Sequence, residues 1–274
     1  MKSKSIVRLS VNFTVTGRAI IPPFSAKVSK LILHRISELY RKYVDIKKPF
    51  KPISVSPLFH EGSPLIKLKG EDRMLMLSDD KTYSFNYCMI TDEDFKFDEL
   101  ISLESSTIND VFGTSVILKS IKVEVKRYDS FGFMKPNGIK LTFLSPVLLQ
   151  LPRFGRYGIN RYMLFPLPSM LIGSLVEHWN NNCDSHMIIK NPFYLSYYSN
   201  YVLLEADFHL KPVTVMYDEK REIRGILGWV LYDLRKARNT PSLRRILALL
   251  DYAQYIGVGK SRATGFGQVS IKCM

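Results

Sequence analysis

The stretch from Gly257 to Gly267 has the residue types and spacing that phosphate binding requires. Two Gly-apolar-Gly triplets flank an insert, Lys260-Ser261-Arg262-Ala263-Thr264, that holds two cations and two hydroxyls. Glycine adopts positive φ and lets the main chain come close to a ligand, so successive N–H groups can point at one anion. A single Gly-X-Gly would more simply be a helix cap and a turn, but the doubled pattern favours a phosphate-binding loop. Its expected contact residues are Gly257, Gly259, Lys260, Ser261, Arg262, Thr264, Gly265 and Gly267.

A second group of cations lies near the N-terminus. At about 100° per residue, Lys27, Lys30 and His34 fall on one face of a predicted helix, and Lys51 follows in the next turn. Ammonium groups bind phosphate as point charges, and an imidazole exchanges a proton near neutral pH. The alternative is a solvated helix face, which is the commoner meaning of a lysine run.

Strands and helices in a regular order must position these residues. The odd positions from Val7 to Val15 are apolar, which predicts a half-buried strand. The helix that follows begins near Phe24 or Ser25, and its buried stripe is Val28, Ile32, Ile36, Leu39 and Tyr43. Further strands are predicted over residues 53–59, 73–77, 83–90 and 121–126, with a weaker helix over residues 95–103.

The same order repeats after the junction Gly132, Pro136 and Gly138. A strand over residues 139–143, a helix over 166–182, strands over 202–210 and 223–234, a helix over 243–253 and a closing strand over 266–271 form the second set. Two successive βαββαβ sets predict an α+β protein with two tandem ferredoxin-like domains. The expected bounds are 1–131 for the domain with the cationic helix and 137–274 for the domain with the glycine loop.

Composition favours an intracellular protein with a polyanionic partner. The chain has 39 Lys plus Arg against 25 Asp plus Glu, a net charge of +14, which favours nucleic acid without identifying it. Three widely separated cysteines do not describe a disulfide framework, so we expect a reducing cytoplasm. No segment approaches the roughly 18 consecutive apolar residues of a membrane span, and we expect no membrane partner.

Neither a metal ion nor another cofactor is expected. His178, Cys183 and His186 lie close together in the sequence. A structural zinc site needs four ligands, and no fourth is evident near them.

The doubled glycine pattern, placed between the last helix and the last strand of a basic chain, resembles the signature loop of the CRISPR repeat-RNA processing endoribonucleases. These enzymes belong to the RAMP superfamily. The resemblance extends over the whole chain, because a tandem ferredoxin-like architecture with this loop in the second domain is what the family looks like. Residues 166–180 and the strand with Gly225 and Gly228 also look like family elements.

The resemblance implies a metal-independent endoribonuclease that cleaves precursor CRISPR RNA within its repeats to give mature CRISPR RNAs. The ribose 2′-hydroxyl attacks the neighbouring phosphate, and the products are a 2′,3′-cyclic phosphate and a 5′-hydroxyl. Many relatives carry a histidine on the first helix or in the turn after it, but residues 42–52 contain none. The expected catalytic residues are therefore Lys30, Lys51, His34 and Lys27.

The resemblance leaves a second function open, in which a non-catalytic RAMP subunit binds CRISPR RNA within an interference complex. Repeat RNA, precursor or mature, is the expected partner in both cases. Subunits of the interference complex and a second copy of the chain are further candidate partners. Cations that could extend the RNA track are Lys122, Lys126, Arg127, Arg153, Arg156, Arg161, Arg221 and Arg224.

Overall fold

A computed structural model of the chain describes residues 4–72, 74–91, 103–151 and 161–274. The chain divides into two compact units. The first unit contains Met1–Lys126, Thr214–Ile223 and Ala263–Gly265, and the second contains Arg127–Val213, Arg224–Arg262 and Phe266–Met274. The domain bounds 1–131 and 137–274 remain a prediction, and they did not anticipate the two C-terminal segments that lie in the first unit.

The first unit contains two helices and nine strands among its described residues. In chain order they are β1 (Ser5–Val15), β2 (Ala19–Ile20), α1 (Ala26–Ile36), α2 (Glu38–Val44), β3 (Ile53–Val55), β4 (Phe59–His60), β5 (Ser63–Pro64), β6 (Met76–Leu77), β7 (Tyr83–Thr91), β8 (Thr107–Val111) and β9 (Thr114–Arg127). The main sheet has the order β5-β4-β7-β1-β9-β8, and β3 also pairs with β7. The helix predicted over residues 95–103 lies almost wholly outside the described residues.

Strand β1 is the centre of the first sheet. It pairs antiparallel with β7, with Val11 opposite Phe85. The apolar side chains at its odd positions are buried, as the alternation predicted. If the main strands are numbered along the chain, their order in space is second, third, first, fourth, which is the ferredoxin-like order.

The predicted single helix after β1 is interrupted at Ser37. Ser37 is extended, with φ −127 and ψ 113, and its hydroxyl accepts a hydrogen bond from the backbone N–H of Tyr40 at 3.1 Å. Of the expected stripe, Ile36 and Leu39 are only partly buried but pack against the core, and Tyr43 is buried as predicted. The break rotates α2, so that Tyr40 and Tyr43 become its buried residues. Serine can end one helix and begin another because its side chain caps the N–H groups of the second.

The second set of elements begins at the junction that the sequence indicated. In chain order these elements are β10 (Gly138–Val147), β11 (Leu149–Gln150), β12 (Tyr162–Met163), α3 (Pro168–Asn182), α4 (Pro192–Val202), β13 (Leu204–Met216), β14 (Glu222–Asp233), α5 (Pro241–Ile256) and β15 (Val269–Cys273). Their sheet has the order β13-β14-β10-β15. Numbered along the chain, the strands of this sheet again have the spatial order second, third, first, fourth. This order confirms the predicted α+β class with two tandem ferredoxin-like domains.

Helix α4 was not predicted from the sequence. Its large side chains do not follow one stripe, since Phe193 is 83% exposed and Tyr201 is 62% exposed while Leu195 is buried. The helical period is therefore blurred in the sequence. No helix within the described residues combines the length and the apolar character that crossing a membrane requires.

Replacing Ser37 with alanine should remove the cap of α2 and lower the free energy of unfolding by about 1 kcal/mol. Ser37→Thr keeps a hydroxyl and should lose much less. Urea unfolding followed by circular dichroism measures both variants. Equal losses in the two variants would show that the hydroxyl does not stabilise α2.

Candidate functional site

The first unit brings the three predicted catalytic lysines close together. Lys27 and Lys30 lie on α1, and Lys51 lies between α2 and β3. The pKa of Lys30 is lowered by its partial burial and, further, by the positive charges of Lys27 and Lys51. The three ammonium groups therefore lie within electrostatic reach of one another, which the sequence predicted for Lys27 and Lys30 from helical spacing.

Two of these lysines are held by identifiable partners. The ammonium group of Lys51 donates a hydrogen bond to the carbonyl of Val44, the last residue of α2. A cation at a helix C-terminus interacts favourably with the helix dipole. The Lys27 ammonium lies 4.0 Å from a carboxylate oxygen of Asp218 and 5.0 Å from the ring centroid of Tyr217.

Tyr217 and Asp218 belong to the turn between β13 and β14, which lies in the first unit. The Asp218 carboxylate accepts hydrogen bonds from Nε of Arg221 at 2.7 Å and from the backbone N–H groups of Lys220 at 3.1 Å and Arg221 at 2.8 Å. The hydrogen bond from Arg221 is the main cause that lowers the pKa of Asp218 to about 2. The Tyr217 ring lies 5.6 Å from the ring of Phe24, next to α1. The turn is thus an ordered part of this site.

Sequence analysis did not identify Tyr217 and Asp218 as site residues. The run Tyr217-Asp218-Glu219-Lys220-Arg221 reads as an ordinary charged turn. Its role depends on a contact with a helix near the other end of the chain. Arg221 was expected only as one of several distant cations, of which Arg153 and Arg156 lie outside the described residues.

His34 and Tyr40 have different surroundings. His34 is exposed near the end of α1, and its backbone carbonyl accepts a hydrogen bond from Arg41 at 2.7 Å. Tyr40 is buried, and within the described part of the chain its hydroxyl has no hydrogen-bond partner. Burial raises the pKa of Tyr40, so the phenol keeps its proton.

The glycine loop uses its amides to bind protein oxygens. The N–H of Gly257 donates to the carbonyl of Ala253 at 2.7 Å, and the N–H of Gly267 donates to that of Pro146 at 2.9 Å. The N–H of Gly259 donates to the Ser174 hydroxyl at 3.2 Å. The Lys260 N–H donates to the Leu148 carbonyl at 2.9 Å. Each of these four amides therefore has a protein acceptor, and the expected contact of the loop with a phosphate remains a prediction.

The loop contains glycines because it lies against other main-chain segments. A Cβ on Gly257 would lie 2.6 Å from the carbonyl oxygen of Gly267, and one on Gly267 would overlap that of Val258. Both glycines also have positive φ. In the first unit, a Cβ on Gly265 would lie 2.8 Å from the Phe24 ring and overlap the side chain of Ala26.

Arg262 is a buried anchor for the loop. It is 6% exposed, and its Nη2 donates to the Ser174 carbonyl of α3 at 2.9 Å. Burial lowers the pKa of its guanidinium to about 10. The guanidinium thus faces protein in this structure, and the predicted contact of Arg262 with RNA remains a prediction. Ser261 is exposed and Lys260 and Thr264 are half-buried, so their contact with RNA remains a prediction.

The three residues considered as metal ligands, His178, Cys183 and His186, differ in burial and in their contacts. The Nδ1 atom of His178 lies 2.7 Å from the buried hydroxyl of Tyr252. Cys183 is buried, and His186 is exposed. In the part of the chain that the structure describes, no group of three or more His, Cys, Asp or Glu side chains could hold a metal ion.

Gly267→Ala should destabilise the protein far more than Gly17→Ala. Both residues have positive φ, but nothing lies within 4 Å of a Cβ on Gly17. The left-handed backbone alone costs roughly 1–2 kcal/mol. The overlap with Val258 should add about 1–3 kcal/mol at Gly267. Urea unfolding measures both variants, and equal losses would show that close packing is not the reason for Gly267.

Two family profiles match the chain. The Cas6 N-terminal domain matches residues 7–126, and CRISPR-associated endoribonuclease Cas6 matches residues 141–269. The chain is 23% identical to CRISPR-associated endoribonuclease Cas6 1 of Saccharolobus solfataricus, over 97% of this chain and 96% of that protein. It is 24% identical to Cas6 2 of the same organism over the same shares.

A solved structure shows the same fold. A Cas6 product complex aligns with a TM-score of 0.70 and 18% identity, and the alignment covers 99% of this chain and 100% of that chain. This structural similarity shows only that the fold is shared. The family is shown by the two profiles, which together span most of the sequence. The chain therefore belongs to the Cas6 family of CRISPR-associated endoribonucleases.

Proposed function

We propose that the chain cleaves precursor CRISPR RNA within its repeats without a metal ion, leaving a 2′,3′-cyclic phosphate and a 5′-hydroxyl. Family membership supports CRISPR RNA processing by an endoribonuclease. The single observation that carries the finer proposal is the cluster of Lys27, Lys30 and Lys51, in which the pKa of Lys30 is lowered. Such a cluster offers positive charge and an exchangeable proton without a cofactor.

The reaction needs a base, a stabilised phosphorane and an acid. The 2′-oxygen loses its proton and forms a bond to phosphorus, and the bond from phosphorus to the 5′-oxygen breaks. The 5′-oxygen then takes up a proton. A lowered pKa makes the Lys30 ammonium a stronger acid than an ordinary lysine, so we assign it to the 5′-oxygen. Lys27 and Lys51 stabilise the phosphorane oxygens.

His34 is the proposed proton acceptor for the 2′-hydroxyl. It follows Lys27 and Lys30 on the same face of α1, and its exposure leaves its ring accessible to RNA. Lys27 approaches Asp218 at 4.0 Å, which is the limit of an ion pair. A phosphate oxygen can therefore compete for this ammonium group at small cost.

The glycine loop contributes to RNA binding through Lys260, Ser261 and Thr264. The glycines and Arg262 shape the loop, and the polar side chains between them contact the ribose-phosphate strand. The second candidate function keeps this binding without cleavage, as in a RAMP subunit of an interference complex. The lowered pKa of Lys30 favours the nuclease, because binding alone does not require a perturbed lysine.

A second copy of the chain is a proposed partner, bound at the aromatic face of α4. Phe193, Tyr194, Tyr197 and Tyr201 are 83%, 57%, 54% and 62% exposed, and α4 carries no charged side chain. With 150–250 Å² per aromatic side chain, they expose roughly 500 Å², more than half of the about 800 Å² that each partner contributes to a standard interface. Because the chain has a net charge of +14, two copies repel each other least when they meet through an uncharged face.

Lys30→Ala should lower the single-turnover rate of repeat cleavage by about 10²–10⁴-fold. The substrate is end-labelled repeat RNA from the host's own CRISPR arrays, incubated in excess EDTA. Lys47→Ala, at an exposed lysine of the same region, should cut normally. Because the pKa of Lys30 is lowered, the wild-type rate should fall with rising pH before the ordinary lysine range is reached.

Three results would contradict the proposed nuclease. They are loss of cutting in EDTA, full cutting by Lys30→Ala, and a gel shift of the repeat by the wild type without any cutting. The last result would support the non-catalytic subunit instead. Thin-layer analysis of the 3′ ends distinguishes a cyclic phosphate from a free hydroxyl.

The double variant Phe193→Glu, Tyr197→Glu should be monomeric, because it places like charges at the centre of the aromatic face. Size-exclusion chromatography with light scattering measures the mass of each variant. Lys236→Glu, at an exposed site elsewhere in the second unit, should leave the dimer intact. A wild type that is monomeric at every concentration would exclude this interface.

A further inference from the structure

Two recesses in the first unit lie side by side and share a wall. One has a volume of about 540 Å³ and is lined by the cations Lys27, Lys220 and Arg221. The other, here called the apolar recess, has a volume of about 410 Å³, and its lining includes Ile20, Met74 and Phe112 as well as Lys67. Residues Pro22, Pro23, Asp218 and Glu219 border both.

Large apolar side chains line the second recess while remaining exposed to solvent. Ile20 is 62% exposed, Met74 is 72% exposed and Phe112 is 37% exposed. Isolated exposed apolar residues are common, but several around one recess indicate a binding site. Met and aromatic side chains suit a flat apolar ligand because sulfur and π surfaces are polarizable.

Phe112 occupies a position that its residue type normally avoids. It forms the hairpin turn between β8 and β9 with Gly113, and both residues have positive φ, at 53 and 79. A two-residue turn of this kind prefers Asn-Gly. A bulky residue in this conformation is an outlier, and strain of this type is concentrated at functional sites. The chain therefore keeps an aromatic ring at this recess although the positive φ of Phe112 is unfavourable for a bulky residue.

The rim of the apolar recess is charged. Asp218 is already engaged by Arg221 and Lys27, while Glu219 is exposed and borders both recesses. A carboxylate accepts hydrogen bonds from an exocyclic amino group, such as N4 of cytosine. Uracil has no such group. The recess therefore combines an apolar wall with an acceptor that distinguishes between bases.

We propose that the apolar recess binds one unpaired nucleobase of the RNA that carries an exocyclic amino group, and that the adjoining cationic recess holds a phosphate of the same strand. The inference rests on the proposed function and adds a specificity-determining subsite to it. Proteins read single-stranded RNA by splaying out bases, stacking them on apolar side chains and bonding their edges. An apolar peptide would fit the second recess but would not use the cations of the first.

The test is the affinity of the full chain for fluorescein-labelled decamers of cytidine, adenosine, uridine and abasic ribose, measured by anisotropy at one salt concentration. The wild type should bind the cytidine and adenosine decamers about 5- to 100-fold more tightly than the abasic one, the range expected for one stacked base. The uridine decamer should bind with intermediate affinity. Glu219→Gln should reduce the preference over uridine toward one.

Matched variants distinguish a loss of base binding at the recess from a general loss of stability or of RNA affinity. Phe112→Asn removes the ring and installs the residue that the turn prefers, so the variant should fold and lose most of the base-dependent affinity. Met74→Ser should lose affinity as well. Met76→Ser is the control, because Met76 is 53% exposed but does not line the recess.

Equal affinity of the wild type for all four decamers would overturn the proposal, and so would equal losses in Met74→Ser and Met76→Ser. The recess would then suit an apolar protein segment. Cleavage of repeat RNA in EDTA is measured in parallel. Wild-type cutting combined with base-independent affinity rejects the subsite alone, whereas absence of cutting rejects the nuclease.

Discussion

Burial of one lysine ammonium group, made less favourable still by two neighbouring lysine charges, is the constraint on which the candidate site of the first unit depends. Burial of Lys30 near Lys27 and Lys51 is unfavourable, and the lowered pKa of Lys30 reflects this cost. The surrounding structure offsets it in two ways. Lys51 bonds the carbonyl that ends α2, and Lys27 lies near the Asp218 carboxylate. Ser37 caps the N-terminus of α2 and Lys51 binds the carbonyl at its C-terminus, so both ends of this short helix have a side-chain partner.

The turn between β13 and β14 completes this arrangement from the opposite end of the sequence. Asp218 keeps its negative charge because Arg221 and two backbone N–H groups bind its carboxylate. It can therefore moderate the charge of Lys27 without neutralising the whole cluster. The same turn forms the wall between the cationic and the apolar recess. One short segment thus shapes the electrostatics of the lysines and borders both recesses.

The glycine loop has a structural role in addition to the RNA contact that the sequence predicts for it. Its glycines permit main-chain segments to pack closely, and its amides bind protein acceptors. Arg262 ties the insert to α3 through a buried guanidinium. These hydrogen bonds fix the backbone on both sides of Ser261, because they involve the N–H groups of Gly259 and Lys260 and the guanidinium of Arg262.

The order of strands and helices, the α+β class and the cationic face of α1 follow from the sequence, because period-2 and period-3.6 apolar patterns are local properties. The positions of Lys27 and Lys30 on one face needed only helical spacing, and the glycine pattern sufficed to indicate the family. Tertiary structure decided the rest. The packing of helix α4 with most of its aromatic side chains exposed, the burial of Arg262 and the approach of Asp218 to Lys27 all depend on contacts between residues distant in the chain. No local pattern encodes such contacts, since they arise only when the sheets and helices pack.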